Sequence, residues 1–216
     1  MLKRTVLALA AMGTLLAQTN APKIPVDLDY NFLKLNYQMN LGEVLGVTVN
    51  SKGTVVVLNH PGSPATGPVF GNASTQLLEF DSTGKFVREL GKGVYGLAYA
   101  HSVRFDRYDN LWVVDKAANT VIRFNPAGLV TLNLGRRTEG PDEFEMYNSA
   151  KVAANPPKHV DGMFNGSTDV TWDAQDNIYV SDGYSNSRIA KYDKKGNWVK
   201  SWGSRGSAPE IGRAHV

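Results

Sequence analysis

Three histidines and one tyrosine carry most of the chemistry this sequence could do. His60, His101 and His159 are the imidazoles that precede residue 210. Zinc accepts neutral imidazole, and a catalytic zinc takes three protein ligands and keeps one position open. His101 stands in Ala100-His101-Ser102-Val103, just ahead of an alternating run. Its side chain there can either enter a channel or be satisfied by backbone at a sheet edge. His159 follows Pro156-Pro157-Lys158 and reads as a solvated loop residue. A tyrosine hydroxyl titrates near ~10 in water, so a general-base role for Tyr184 needs a cation close by. The alternative for Tyr184 is a packed aromatic in a loop. Arg188 reads as structural, paired with Asp182 or an equivalent acid in a turn that recurs from unit to unit.

Those residues sit in a unit that repeats. Gly46-Val47-Thr48-Val49, Ser102-Val103-Arg104-Phe105 and Thr168-Asp169-Val170-Thr171-Trp172 can be superposed. So can Thr54-Val55-Val56-Val57, Leu111-Trp112-Val113-Val114-Asp115 and Ile178-Tyr179-Val180-Ser181-Asp182. Between these β-rich runs stand the turn formers Lys52-Gly53, Asp109-Asn110 and Asp176-Asn177, and further on Thr83-Gly84, Ala127-Gly128 and Lys195-Gly196. Each unit therefore reads as four short strands. Gly84 and Gly128 are 44 residues apart, within the ~40–45 of a propeller blade. Gly128 and Gly196 are 68 apart, which places an insertion of about 24 residues in the third unit. It falls within about 138–165, with Pro141 to Ala154 partly helical, and reads equally as a surface loop or as a lid. The expected fold is all-β, a β-propeller. Propellers close at about four blades or more, so three to three and a half blades imply either a second chain or a longer parent.

Composition narrows the class. The 216 residues are 42% hydrophobic and 20% charged, with a formal net charge of +3. That suits one globular domain and gives no broad basic surface for nucleic acid. Lys3 and Arg4 precede an uncharged run from Thr5 to Ala17. Its 13 residues are short of the ~20 a membrane span needs. Residues 1–17 thus read as a secretory signal, and the chain as periplasmic or secreted, with no membrane contact after cleavage. The absence of cysteine leaves stability to the core or to a bound metal. Residues 18–209 are the expected propeller portion. The tail 210–216 back-translates into a short-read sequencing adapter, so it is expected to be foreign, His215 included.

The repeat resembles the NHL family of six-bladed propellers. More narrowly, Thr168-Asp169-Val170 with Val180-Ser181-Asp182-Gly183-Tyr184-Ser185-Asn186-Ser187-Arg188-Ile189 resembles the core of the peptidyl-α-hydroxyglycine α-amidating lyases. Gly183-Tyr184 is the discriminating pair, and the resemblance runs from about residue 41 to 209. It implies a carbon–nitrogen lyase with zinc at the mouth of a central tunnel and calcium deeper inside. Tyr184 matches the catalytic tyrosine, and His101 the first zinc histidine. Val47 and Val103 match positions whose backbone carbonyls hold calcium. The remaining zinc histidines would lie beyond Pro209. Three positions depart from the family pattern. His60 stands where the family has a substrate-binding arginine, Ser185 where it has a half-cystine, and Ser167 where it has proline.

Two classes of function follow. The first is cleavage of the N–Cα bond of an α-hydroxyglycine-like peptide C-terminus, giving an amide and glyoxylate. The second is a non-catalytic propeller that binds a protein, glycan or small ligand. Fold alone does not separate them. The oligomeric state is not legible in the sequence.

Overall fold

The computed structural model describes residues 23–62, 75–137 and 160–203. The signal segment, the tail, His159 and most of the insertion lie outside them. Residues 23–30 carry no strand and form a unit separate from the body that begins at Asn31. That body holds twelve strands, with no helix among the described residues.

The first sheet contains β1 (Glu43–Val49), β2 (Val55–His60), β3 (Gln76–Phe80) and β4 (Phe86–Leu90). The second contains β5 (Ala100–Phe105), β6 (Leu111–Asp115), β7 (Thr120–Phe124) and β8 (Val130–Gly135). The third contains β9 (Ser167–Trp172), β10 (Ile178–Asp182), β11 (Arg188–Tyr192) and β12 (Trp198–Trp202). Each is a four-stranded antiparallel meander in chain order. These are the blades that the glycine spacing predicts.

The turns form for a local reason. Asn50, Asp106 and Asp173 each accept two backbone N–H groups with one side-chain oxygen, closing the first hairpin of their blades. Asp81 and Asp193 do the same at the last hairpin. Each turn then needs one left-handed residue, supplied by Gly53, Asp109 and Asp176, and by Gly84 and Gly196. Glycine, and less readily aspartate, tolerates that backbone.

Alternation along β6 feeds two cores. Leu111 and Val113 pack with Val56, Leu58 and Leu77 of the first blade. Trp112 and Val114 pack with Val170, Ile178 and Val180 of the third. The segment ahead of β1 covers the first blade's other face, where Phe32, Leu33, Met39 and Leu41 meet Val55, Val57 and Phe80. Polar contacts tie neighbouring blades as well. Arg88 donates to the carbonyls of Pro126 and Ala127 at 3.0 Å each. Ser51 donates to Asp109 from both its backbone N–H and its hydroxyl. Arg107 pairs with Asp176.

One irregularity recurs. In β5, Ala100 faces Asp115 and Ser102 faces Val114, so His101 is an extra residue in the register. The same slip in register falls at Leu45 in β1 and at Thr168 in β9. Two residues further on, each strand returns to register on a valine pair: Val47 with Val57, Val103 with Val113, Val170 with Val180. A β-bulge bends the strand and re-aims the side chain it carries.

Candidate functional site

The bulges stand at the end of each blade where the second strand finishes, and there the polar side chains converge. Asp115 and Asp182 close β6 and β10, and Asn59 is the last residue but one of β2. Each accepts the N–H of the residue two before its bulge-side partner: Gly42 at 2.9 Å, Ala98 at 2.6 Å and Asn165 at 2.9 Å. All three acceptors are fully buried. The chain continues with His60 at the end of β2, Lys116 after β6 and Gly183-Tyr184 after β10.

His101 donates from Nδ1 to the carbonyl of Thr168 at 2.9 Å, so one bulge residue reads the backbone of the next. A carbonyl only accepts, which puts an imidazole proton on Nδ1, so that in the neutral ring Nε2 is the acceptor. The Tyr184 hydroxyl donates to that Nε2 at 3.3 Å, with the two rings edge to face at 5.7 Å. Lys116 Nζ lies 3.4 Å from the same hydroxyl oxygen. It also sits over two rings, 4.7 Å from the centroid of Tyr99 and 4.9 Å from that of Tyr184. Tyr184 is 46% exposed.

The loop that offers Tyr184 is held from below. Tyr184 N–H donates to Gly166 at 3.1 Å and Ser185 N–H to Asn165 at 3.2 Å. Gly166 N–H in turn donates to Asn119 Oδ1 at 2.9 Å. Gly166 has φ +80°, and a Cβ there would stand 2.5 Å from Tyr184 Cβ. Glycine is required at that position on both counts.

His60 lies beneath this group and does not reach its surface. It is fully buried, stacked on Tyr99 at 4.2 Å with the rings tilted by 53°. Its Nδ1 is 3.5 Å from Glu43 Oε2, while the Tyr99 hydroxyl donates to that same oxygen at 2.9 Å. Burial pulls the His60 imidazole below its ordinary range, and the carboxylate of Glu43 only partly opposes this. Val47 and Val103 occupy equivalent stations of adjacent first strands, and a Cβ on neighbouring Gly46 would stand 3.2 Å from Val103 Cγ1.

The expected ion pair is present. Arg188 Nε donates to Asp182 at 2.9 Å with both side chains fully buried. It does not recur in the second blade, where Thr120 stands at the place of Arg188 and Asp115 is answered by backbone N–H groups instead. Burial pushes the Asp115 carboxyl above its usual range, against the pull of those N–H groups. On the first strands, Ser102 and Arg104 reach across to Asp169. Burial raises that carboxyl, but the guanidinium, the Val170 N–H and the Ser102 hydroxyl outweigh it, and the net shift is downward.

The structure thus brings together His101 and Tyr184, which stand 83 residues apart in sequence, and sets His60 one layer deeper. Sequence reasoning missed Lys116, Tyr99 and Glu43. The legible signal for Lys116 was its station, directly after Asp115 as His60 follows Asn59. A zinc ion would find the His101 Nε2 lone pair suitably presented. The described residues hold no group of three histidine, cysteine, aspartate or glutamate side chains able to complete its coordination.

No protein-family model matches the chain. Among curated proteins it is 28% identical over 193 residues to the rat peptidylglycine alpha-amidating monooxygenase, covering 81% of this chain and 18% of the rat protein. It is 28% identical over 181 residues to peptidyl-alpha-hydroxyglycine alpha-amidating lyase 1 of Drosophila melanogaster, covering 76% of this chain and 30% of the fly protein. With peptidyl-glycine alpha-amidating monooxygenase A of Xenopus laevis it shares 31% over 145 residues, covering 66% and 13%. The chain therefore spans less than a third of the length of these relatives. Among solved structures, a streptogramin B lyase superposes with a TM-score of 0.50 at 14% identity, over 77% of this chain and 42% of that one. An inactive variant of virginiamycin B lyase from Staphylococcus aureus, solved with quinupristin, gives 0.50 at 14% identity, over 82% and 46%. These two likenesses bear on fold alone. The chain is a β-propeller chain distantly related to the peptidylglycine-amidating enzymes.

Proposed function

We propose that this chain is the propeller portion of an exported lyase that acts on peptides ending in α-hydroxyglycine. The reaction cleaves the N–Cα bond of the carbinolamide and releases a peptide amide and glyoxylate. One observation carries the reading: the Tyr184 hydroxyl is exposed at the blade mouth and lies between His101 Nε2 and Lys116 Nζ, at 3.3 and 3.4 Å.

The chain's own residues account for the proton movements as follows. The Tyr184 oxygen takes the proton of the substrate hydroxyl. The O–H electrons become the carbonyl π bond of glyoxylate as the C–N bond breaks, and the amide nitrogen takes up a proton. Negative charge on the tyrosine oxygen is met by the Lys116 ammonium, and its own proton has an acceptor in His101 Nε2. Thr168, by fixing the proton on Nδ1, keeps that acceptor open.

His101 Nε2 is also the atom that would hold zinc; it would then no longer accept the Tyr184 proton, which would pass to solvent instead. Zinc held there would supply Lewis-acid polarisation of a substrate oxygen. Calcium at the backbone of Val47 and Val103 belongs to the same proposal, since calcium takes carbonyl oxygens and these two stations are equivalent on adjacent strands. Export rests on the charged and apolar pattern of residues 1–17.

The test uses the product of the complete gene with N-benzoyl-α-hydroxyglycine as substrate and glyoxylate release as readout. Tyr184→Phe should lower kcat by about 10²-fold or more. Full activity in that variant would remove the tyrosine from the chemistry. A wild-type protein that releases no glyoxylate would leave a ligand-binding propeller.

A further inference from the structure

The second blade places a cation at the mouth that the sequence reading did not use. Lys116 follows Asp115 directly and occupies the station that His60 holds in the first blade. Its Nζ rests between the rings of Tyr99 and Tyr184, and its hydrogen bond to Tyr184 is long at 3.4 Å. Lys116 has no carboxylate within 4.0 Å among the described residues. Glu43, the acid of this cluster, is engaged by the Tyr99 hydroxyl at 2.9 Å. An ammonium ion has three donors. Two aromatic faces hold Lys116 in place by cation–π attraction without consuming those donors. A cation fixed in this way and left without an anion is arranged for an anion that arrives from outside.

We propose that Lys116 anchors the free carboxylate of the substrate while Tyr184 addresses its α-hydroxyl. This deepens the lyase reading and rests on it. An α-hydroxy acid carries its hydroxyl and a carboxylate oxygen three bonds apart, a span that suits the 3.4 Å between Tyr184 Oη and Lys116 Nζ. Neither atom has to move for both oxygens to be met. His60, buried under Tyr99, supports the ring on which the lysine lies and makes no contact with the ligand. The site therefore selects a chain end with a free acid over its ester or amide, because only the acid completes the charge pair.

The experiment measures kcat and KM for N-benzoyl-α-hydroxyglycine and its methyl ester, using the complete gene product and its Lys116→Gln and Lys116→Arg variants. Lys116→Gln should raise KM for the acid by about tenfold or more, as loss of a charge-assisted hydrogen bond does, and should lower kcat for acid and ester alike because Tyr184 loses its neighbouring cation. Lys116→Arg should recover most of that loss. The ester should bind the wild type as poorly as the acid binds Lys116→Gln, and the substitution should leave the ester's KM unchanged. An unchanged KM for the acid in Lys116→Gln, or an equal rise in KM for acid and ester, overturns the anchor and leaves the lyase reading intact. If the wild type releases no glyoxylate, the lyase reading fails, and calorimetric titration with N-benzoylglycine decides the anchor separately. Binding to the wild type and not to Lys116→Gln supports it. Equal binding, or none to either, overturns it.

Discussion

The second and third blades solve one problem in two ways. Each ends its second strand on a buried aspartate that fixes the loop carrying a site residue, Asp115 ahead of Lys116 and Asp182 ahead of Tyr184. Asp182 is neutralised by a buried arginine, which also reaches the carbonyls of Val160 and Met163. Asp115 is held by the N–H groups of Ala98, Ala117 and Ala118, with no cation within ion-pair distance among the described residues. The third blade therefore depends on one long side chain arriving from β11. The second depends on the backbone of its own loop. A carboxylate satisfied by backbone tolerates a change of charge, whereas a buried pair does not tolerate the loss of a partner.

The sharpest way to break this contrast is Arg188→Ala. It leaves Asp182 buried without its cation and should cost about 3–5 kcal/mol of stability, read by urea unfolding of the complete gene product. Asp115→Asn keeps the shape and one acceptor oxygen, and should cost about 1–3 kcal/mol. If the two losses proved equal, the contrast between arginine and backbone would fail.

Gly166→Ala asks whether the third blade's loop positions Tyr184. The added methyl meets Tyr184 Cβ at 2.5 Å on a backbone of φ +80°. Glyoxylate release should fall by about 10²-fold, as for a misplaced catalytic group. The far-UV circular dichroism should keep its β signature.

The pH dependence separates the two blades further. Burial raises the folded-state carboxyl of Asp115, so the folded chain holds a proton there that the unfolded chain has released. Its contribution to stability is therefore lost as pH rises from the ordinary aspartate range through the raised value. Asp173, in the first turn of the third blade, is held down to about 2, first by the Asn177 amide and with help from the Tyr179 hydroxyl. Its contribution is present above pH 3.8 and lost as pH falls toward 2. Wild-type stability, followed from pH 7 to pH 2, should show both trends. Asp115→Asn should abolish the first and Asp173→Asn the second. His60 behaves as a buried base with a lowered pKa. Stability should fall as pH drops below about 6.5 toward that lowered value, a slope that His60→Gln removes.

The smallest effect concerns the contacts between turns. Ser51→Ala removes a hydroxyl donor to Asp109 on an exposed surface and should change stability by no more than about 0.5 kcal/mol.

Much of this architecture is legible in the sequence. Gly84, Gly128 and Gly196 keep time for the blades, and Asp109-Asn110 and Asp176-Asn177 mark hairpins, because turn chemistry is local. The pairing of Arg188 with Asp182 is local too, six residues apart. What the sequence conceals is what forms between blades. Tyr184 meets Lys116 and His101 across 68 and 83 residues. Tyr99 and Glu43 show no pattern until the first and second sheets are laid side by side. The bulges are hidden for another reason, since one added residue in a six-residue strand is invisible to a search for alternation.

Those bulges also divide the labour of change. The ladder holds its partners to a shape, and three repeats keep the same valine pair two steps after the slip. The slipped residue stands outside the ladder's register, and the three copies carry leucine, histidine and threonine there. Innovation at the mouth of this wheel can proceed at one address per spoke while the spokes themselves stay alike.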